Sequence, residues 1–226
     1  MPTVAIRLKQ VRARIAQAEK DAQRVPGSVG LVAVSKRKTE QNIRDALALG
    51  QICFGESYVQ EALTKIHQLR GQPIEWHFIG AIQSNKAKEI AQHFSWVHSI
   101  DRLATAERLN AARPAERGPL NICIQVNISA EPTKAGVDMA DLPALANAIA
   151  QLSRLRLRGL MAIPLPTNDI TEQRRVFSAV RKAKEQLQSQ GLTLDTLSMG
   201  MSADLEAAIA EGATLVRVGT DIFGSR

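Results

Sequence analysis

At 226 residues, 45% apolar and 23% charged, the chain has the composition of a globular protein long enough to bury a large core, which sets disorder aside. No apolar stretch approaches the ~20 residues that span a bilayer, and the N-terminus lacks a signal-peptide core, so a cytoplasmic protein with no membrane association is expected. A net charge of +7 raises nucleic acid as a partner, but Arg174, Arg175, Arg181, Lys182 and Lys184 are interleaved with Glu172 and Glu185 and aromatics are only 4%; solvated helix faces explain the charge better, and the same field favours a small anion.

Leu8, Val11, Ile15, Ala18 and Ala22 recur at helical spacing and predict an amphipathic helix that stops before Pro26-Gly27. Strand-like runs follow at 31–35, 52–55, 75–79, 96–100, 121–127, 157–163, 194–198 and 214–218, each separated from the next by a helical stretch. Thr39 and Ser202 are candidate helix caps, and Ser57 with Gln60 and Asp169 with Glu172 read as capping boxes. Val176, Val180, Ala183 and Leu187 form the core stripe of the longest late helix. Cys53 and Cys123 sit in apolar runs, where thiols behave as small hydrophobes, and neither a disulfide nor a metal site is expected.

Strict alternation implies parallel pairing, because parallel strands need crossovers. Eight units without a linker predict an α/β fold, a single (β/α)₈ TIM-type barrel over residues 1–226 with an extra N-terminal helix and no second β-domain. The last strand ends roughly eight residues before the C-terminus, so the N-terminal helix is expected to supply the missing eighth cover.

Barrels bind ligands at the carboxyl ends of their strands, with phosphate often held after strands seven and eight. The first strand, Leu31-Val32-Ala33-Val34-Ser35, ends on Lys36, which places an amine at the mouth. Strand seven runs into Ser198-Met199-Gly200-Met201-Ser202 and strand eight into Arg217-Val218-Gly219-Thr220; glycines there let backbone approach an anion, and Arg217 can bind an anion or a ring acceptor. His77 and Met161 lie within strands three and six, where each reads as core packing or as a ligand contact; Ser57 follows strand two and Lys86 a later turn. A lysine amine with an anion cradle across the mouth suits pyridoxal phosphate, and class I aldolases combine the same parts, so spacing leaves both open.

The ordered segments Val32-Ala33-Val34-Ser35-Lys36, Phe54-Gly55-Glu56-Ser57-Tyr58-Val59-Gln60-Glu61, Trp76-His77-Phe78-Ile79-Gly80, Gln83-Ser84-Asn85-Lys86, Gln125-Val126-Asn127-Ile128, Lys134-Ala135-Gly136, Arg158-Gly159-Leu160-Met161-Ala162-Ile163-Pro164, Ser198–Ser202 and Arg217–Thr220 resemble the pyridoxal phosphate homeostasis proteins. The resemblance implies a barrel like the N-terminal domain of alanine racemases, with pyridoxal phosphate held as a Schiff base on Lys36. It implies cofactor-end contacts from Ser57, His77 and Met161, phosphate-end contacts from Ser198, Gly200, Ser202, Gly219 and Thr220, and Arg217 near the ring nitrogen. A permanently charged guanidinium there disfavours ring protonation and weakens the electron sink, which suits holding the cofactor more than carbanion chemistry.

Three positions depart from the family pattern: Ser57 stands for a usual asparagine, Ala81 for proline or histidine, and Asp221 for a small apolar residue, adding negative charge near the phosphate end. Asp221 is expected to point away. The resemblance implies a monomeric homeostasis protein without robust catalysis, with pyridoxal-phosphate-dependent apoenzymes as transient acceptors. The competing reading is an enzyme, a racemase or Schiff-base lyase using Lys36. A racemase needs a second base; the one tyrosine, Tyr58, reads as a packing residue.

Overall fold

Alternation of strand and helix sets the architecture. The computed structural model describes residues 3–128 and 135–224, and in it eight parallel strands close into a barrel in sequence order. They are β1 (Gly30–Val34), β2 (Cys53–Glu56), β3 (Glu75–Phe78), β4 (Trp96–Ile100), β5 (Leu120–Gln125), β6 (Leu155–Met161), β7 (Thr196–Ser198) and β8 (Leu215–Val218). Around them lie α1 (Val4–Asp21), α2 (Glu40–Leu47), α3 (Val59–Gln68), α4 (Ala87–His93), α5 (Leu103–Ala112), α6 (Leu142–Ala150), α7 (Ile170–Ser189), α8 (Leu205–Ala210) and the single turn α9 (Thr220–Phe223). None of these helices is long and apolar enough to cross a membrane.

The barrel closes where β8 pairs with β1, Gly30 opposite Leu215 and Ala33 opposite Val218. As α9 is one turn long, α1 takes the eighth covering position: it packs on α8, α9 and α2 and buries Leu8, Val11, Ile15 and Ala18. Alternate strand residues then divide between two cores. Phe54, Trp76, Phe78, Val97, Ile122, Ile124, Val216 and Val218 face the helices, whereas Trp96, Cys123 and Met161 pack together inside the barrel with Leu215 against them.

The strands sit within a few residues of their predicted positions, and the caps are less faithful. Thr39 and Asn42 form a capping box, and Asp169 accepts the N–H groups of Thr171 and Glu172. The Ser57–Gln60 box is not formed: α3 begins one residue later, behind Tyr58, with no side-chain cap. Nor does Ser202 cap α8, which starts at Leu205 after Asp204, because the intervening residues form a separate turn in which Asp204 Oδ1 accepts the Met201 N–H at 2.6 Å. The buried stripe of α7 is Gln173, Phe177, Val180, Ala183 and Leu187, so Phe177 takes the place expected for Val176.

Candidate functional site

β1 leaves the barrel at Val34, and Lys36 follows two residues later on the same alternation. Val32, Val34 and Ile79 converge on Gly55, where a Cβ would stand 3.1 Å from Val32 and from Ile79. Directly above, Lys36, Ser57, Tyr58, Ile79, Gly80, Ala81, Gln83 and Lys86 line a cleft of about 550 Å³. Gly80 is required there, since a Cβ would fall 2.2 Å from the Ser57 carbonyl oxygen. The loops after β2 and β3 therefore touch backbone to backbone beneath the cleft.

The backbone around Lys36 is held from both sides by a buried ion cluster. Lys65 Nζ donates to the Ser35 carbonyl at 2.7 Å, Glu56 Oε1 at 2.8 Å and Glu61 Oε1 at 2.6 Å. Ser35 Oγ donates to the same Glu56 oxygen at 2.6 Å, and the Arg37 N–H donates to Glu61. Arg37 adopts φ +60°, a conformation that a side-chain-bearing residue holds only when its surroundings impose it. Burial pushes the Glu56 carboxyl above its usual range, with Lys65 and then Ser35 pulling it back down, and its Oε2 has no hydrogen-bond partner among the described residues. Lys65 reads in the sequence as an ordinary helix lysine. Its spacing from Val59 and Ala62, both buried on α3, is the one signal that it faces inward.

The turn after β8 lies against the end of β1 across the closing seam, with the turn after β7 beyond it. The β8–β1 register places Gly219 beside Val34, so close that a Cβ would lie 3.2 Å from the Val34 carbonyl oxygen. Thr220 opens α9, where the Gly219 carbonyl accepts the N–H groups of Ile222 and Phe223 at 3.0 and 2.9 Å. Gly200 has φ +95° and passes 2.6 Å, measured from an added Cβ, over Ala208. Asp221 does turn away, onto Arg14 of α1 at 2.6 Å.

Below the mouth, a polar column runs through the barrel. Arg217, which is buried, donates to Ser198 Oγ at 2.7 Å and to the Ala162 carbonyl at 2.9 Å. Ser198 Oγ lies 2.7 Å from His98 Nδ1, His98 Nε2 lies 2.9 Å from His77 Nδ1, and His77 Nε2 lies 2.9 Å from Glu75 Oε1. Burial pushes both imidazoles down, His98 well below its ordinary value, with the nearby Arg217 guanidinium adding to the effect. With both rings neutral, one direction satisfies every link: Arg217 donates to Ser198, Ser198 to His98, His98 to His77, and His77 to a Glu75 whose pKa that bond lowers. Burial likewise carries the Arg217 guanidinium down to about 10. At the opposite end of the barrel, Cys53, Glu75 and His77 bring ligand-type atoms within 4.8 Å, but the carboxylate already accepts from His77.

The sequence-predicted residues thus fall into three groups. Lys36 and Ser57 share the cleft; Gly200, Ser202, Gly219 and Thr220 lie on the turns beside it; Ser198 and Arg217 lie beneath. His77 is one inward position deeper on β3 than the cleft-lining Ile79 and is bonded to Glu75 and His98. Met161 is packed on Trp96 and Cys123 inside the barrel. Lys134 lies outside the described residues. Tyr58 is not a packing residue: it is 45% exposed, its hydroxyl accepts from Arg37 at 3.3 Å, and the guanidinium lies 5.5 Å from its ring centroid. The strand periodicity that locates Lys36 carries no signal for His98, Glu61 or Arg14.

Residues 6–226 match the family model described as alanine racemase, N-terminal domain. A pyridoxal phosphate homeostasis protein of Pseudomonas aeruginosa is 55% identical over 226 residues, covering all of this chain and 97% of the relative. The chain belongs to the pyridoxal phosphate homeostasis protein family. Within that family, PipY of Synechococcus elongatus, solved with pyridoxal phosphate bound, is 43% identical, with a TM-score of 0.82 over 93% of this chain and all of PipY. An alanine racemase from Corynebacterium glutamicum shares the fold at a TM-score of 0.72 and 18% identity, over 97% of this chain and 62% of the racemase.

Proposed function

We propose that this chain holds pyridoxal phosphate covalently on Lys36, and that residues 1–226 act as one cofactor-binding unit serving intracellular pyridoxal phosphate homeostasis, not turnover. The observation that carries the reading is Lys36 itself: an amine lining a cleft at the barrel mouth, its flanking peptide groups tied down, with one glycine turn on the neighbouring strand β8 and another on β7 beyond it. The residues fit the group. Lys36 and Ser57 line the cleft, the Gly219–Thr220 turn lies on the other side of β1 across the β8–β1 seam, and the buried Arg217 guanidinium sits on β8.

When bound, the cofactor supplies an aldehyde that condenses with a primary amine, with loss of water. Lys36 provides that amine. Lys65 and Glu61, through Ser35 and Arg37, fix where it emerges, so little ordering is left to be lost on binding. Ser202, Gly219 and Thr220 take the phosphate, with glycine backbone and two hydroxyls as the anion-binding groups. Arg217 offers a remaining N–H to the ring nitrogen and stays charged, which keeps that nitrogen unprotonated. Ser57, His77 and Met161 complete the cofactor side, the last two from beneath through the polar column and the inner apolar cluster.

A homeostatic role is supported by the names of the relatives, which are pyridoxal phosphate homeostasis proteins. Apoenzymes are the acceptors on this reading, and the protein acts as a monomer in the cytoplasm. The test is the absorbance of protein incubated with pyridoxal phosphate, followed by borohydride reduction and peptide mapping. A reduced adduct on Lys36 is expected, absent in Lys36→Ala. An adduct on Lys86 or Lys134 instead, or sustained L- to D-amino-acid conversion lost in Lys36→Ala, would overturn the reading.

A further inference from the structure

Arg14 of α1 lies outside the cleft yet touches both turns assigned to the phosphate. Its Nη1 bonds Asp221 Oδ2 at 2.6 Å, its Nη2 donates to the Ser202 carbonyl at 2.9 Å, and Nε and Nη2 form a two-pronged pair with Glu206 at 2.8 and 3.0 Å. One guanidinium therefore joins the turn after β7, the helix after it and the turn after β8. Two of its partners are carboxylates, which raise its pKa and hold it charged.

An acid one residue beyond Thr220 opposes an anion at that turn, and Coulomb repulsion at this range survives physiological salt because the separation is about a Debye length or less. The bond to Arg14 draws the Asp221 carboxylate toward α1 and neutralises it. A lysine could supply the charge; a planar fork reaches acceptors on three residues in three segments at once. Arg14 is only partly exposed, its side chain at 36%, so its charge is not fully screened by water.

We infer that Arg14 is a positioning residue for the phosphate end: it masks Asp221 and fixes the Ser202 and Thr220 turns relative to each other, and so sets the preference for a phosphorylated over an unphosphorylated pyridoxal. This rests on the reading of those turns as the phosphate end. The N-terminal helix then takes part in ligand retention as well as in covering the barrel.

The experiment compares affinities for pyridoxal phosphate and for pyridoxal, measured by absorbance titration, in the wild type, Arg14→Ala, Asp221→Ala and the double variant, with thermal melting as the folding control. Arg14→Ala is expected to lose about tenfold in affinity for pyridoxal phosphate and little for pyridoxal. Asp221→Ala is expected to keep the wild-type preference, and the double variant to recover most of it. Equal losses for both ligands, or no recovery in the double variant, would reduce Arg14 to a docking residue for α1 and overturn the inference. An unchanged preference in Arg14→Ala would do the same. If Arg14→Ala does not fold, Arg14→Gln, which keeps an amide donor beside Ser202, carries the comparison. A wild type that does not distinguish the two ligands would overturn the phosphate-end reading itself.

Discussion

Replacing Lys65 by methionine tests whether the ion cluster behind Lys36 is structural. The Lys65 and Glu56 side chains are 6% and 0% exposed, so the change leaves a carboxylate with no cation in a site that water does not reach. Breaking a buried pair from one side costs about 3–5 kcal/mol, most of it the penalty on the charge left behind. Glu56 can escape part of that by taking a proton. Burial already raises its pKa in the fold and Lys65 is the chief group lowering it, so the variant's Glu56 titrates higher still. A carboxyl raised in the folded state favours folding while it is protonated and loses that contribution as pH rises through the folded pKa. The cost of Lys65→Met is therefore expected to be larger at about pH 8 than at about pH 5. Urea unfolding followed by the fluorescence of Trp76 and Trp96 measures both. Adding Glu56→Leu should recover most of the loss by removing the stranded charge. A loss below about 1 kcal/mol, or one independent of pH, would refute the assignment of a charged buried cluster.

Gly80→Ala is expected to cost about 2–3 kcal/mol in the same assay and to shift the Ser57 loop, because its Cβ would overlap a backbone oxygen. His77 and His98 are held neutral by burial, so the unfolded chain binds protons more readily; stability should fall as pH drops below the ordinary imidazole value of 6.5, and His98→Gln should flatten that fall in urea titrations. Cys53 and Cys123 are both pushed up to about 12, chiefly by burial, so iodoacetamide near neutral pH should label neither in native protein and both after unfolding.

The barrel was legible because its signal is local. Apolar runs bounded by caps and glycines mark each strand, and the strand ends alone place Lys36, Ser198–Ser202 and Arg217–Thr220 on one face. The supporting groups were not legible, because their meaning depends on partners far away in sequence. His98 has the sequence context of any strand residue and becomes part of a column only through Ser198, 100 positions on. Arg14 lies 207 positions from Asp221 and reads as one more charge on an amphipathic helix. The caps failed for a related reason: Ser57 and Ser202 have the right side chains, but the chain uses those positions for turns that face the mouth, and each helix starts later. Tyr58 reads as packing because the sequence places it early in a helix, whereas α3 starts after it and leaves it exposed.

The seam between β8 and β1 decides when a binding site exists at all. Lys38, two residues past Lys36, donates to the carbonyls of Phe223 and Gly224, up to 186 positions along the chain. A chain still lacking its last strand has Lys36 and the β2–β3 side of the cleft but not the Gly219–Thr220 turn, however well its other strands have paired. On the proposed placement of the phosphate, a ligand that grips both sides of the seam binds the closed barrel more tightly than open forms and favours closure by mass action. Occupancy and barrel closure become a single equilibrium, so protein held without its cofactor should open first along this line.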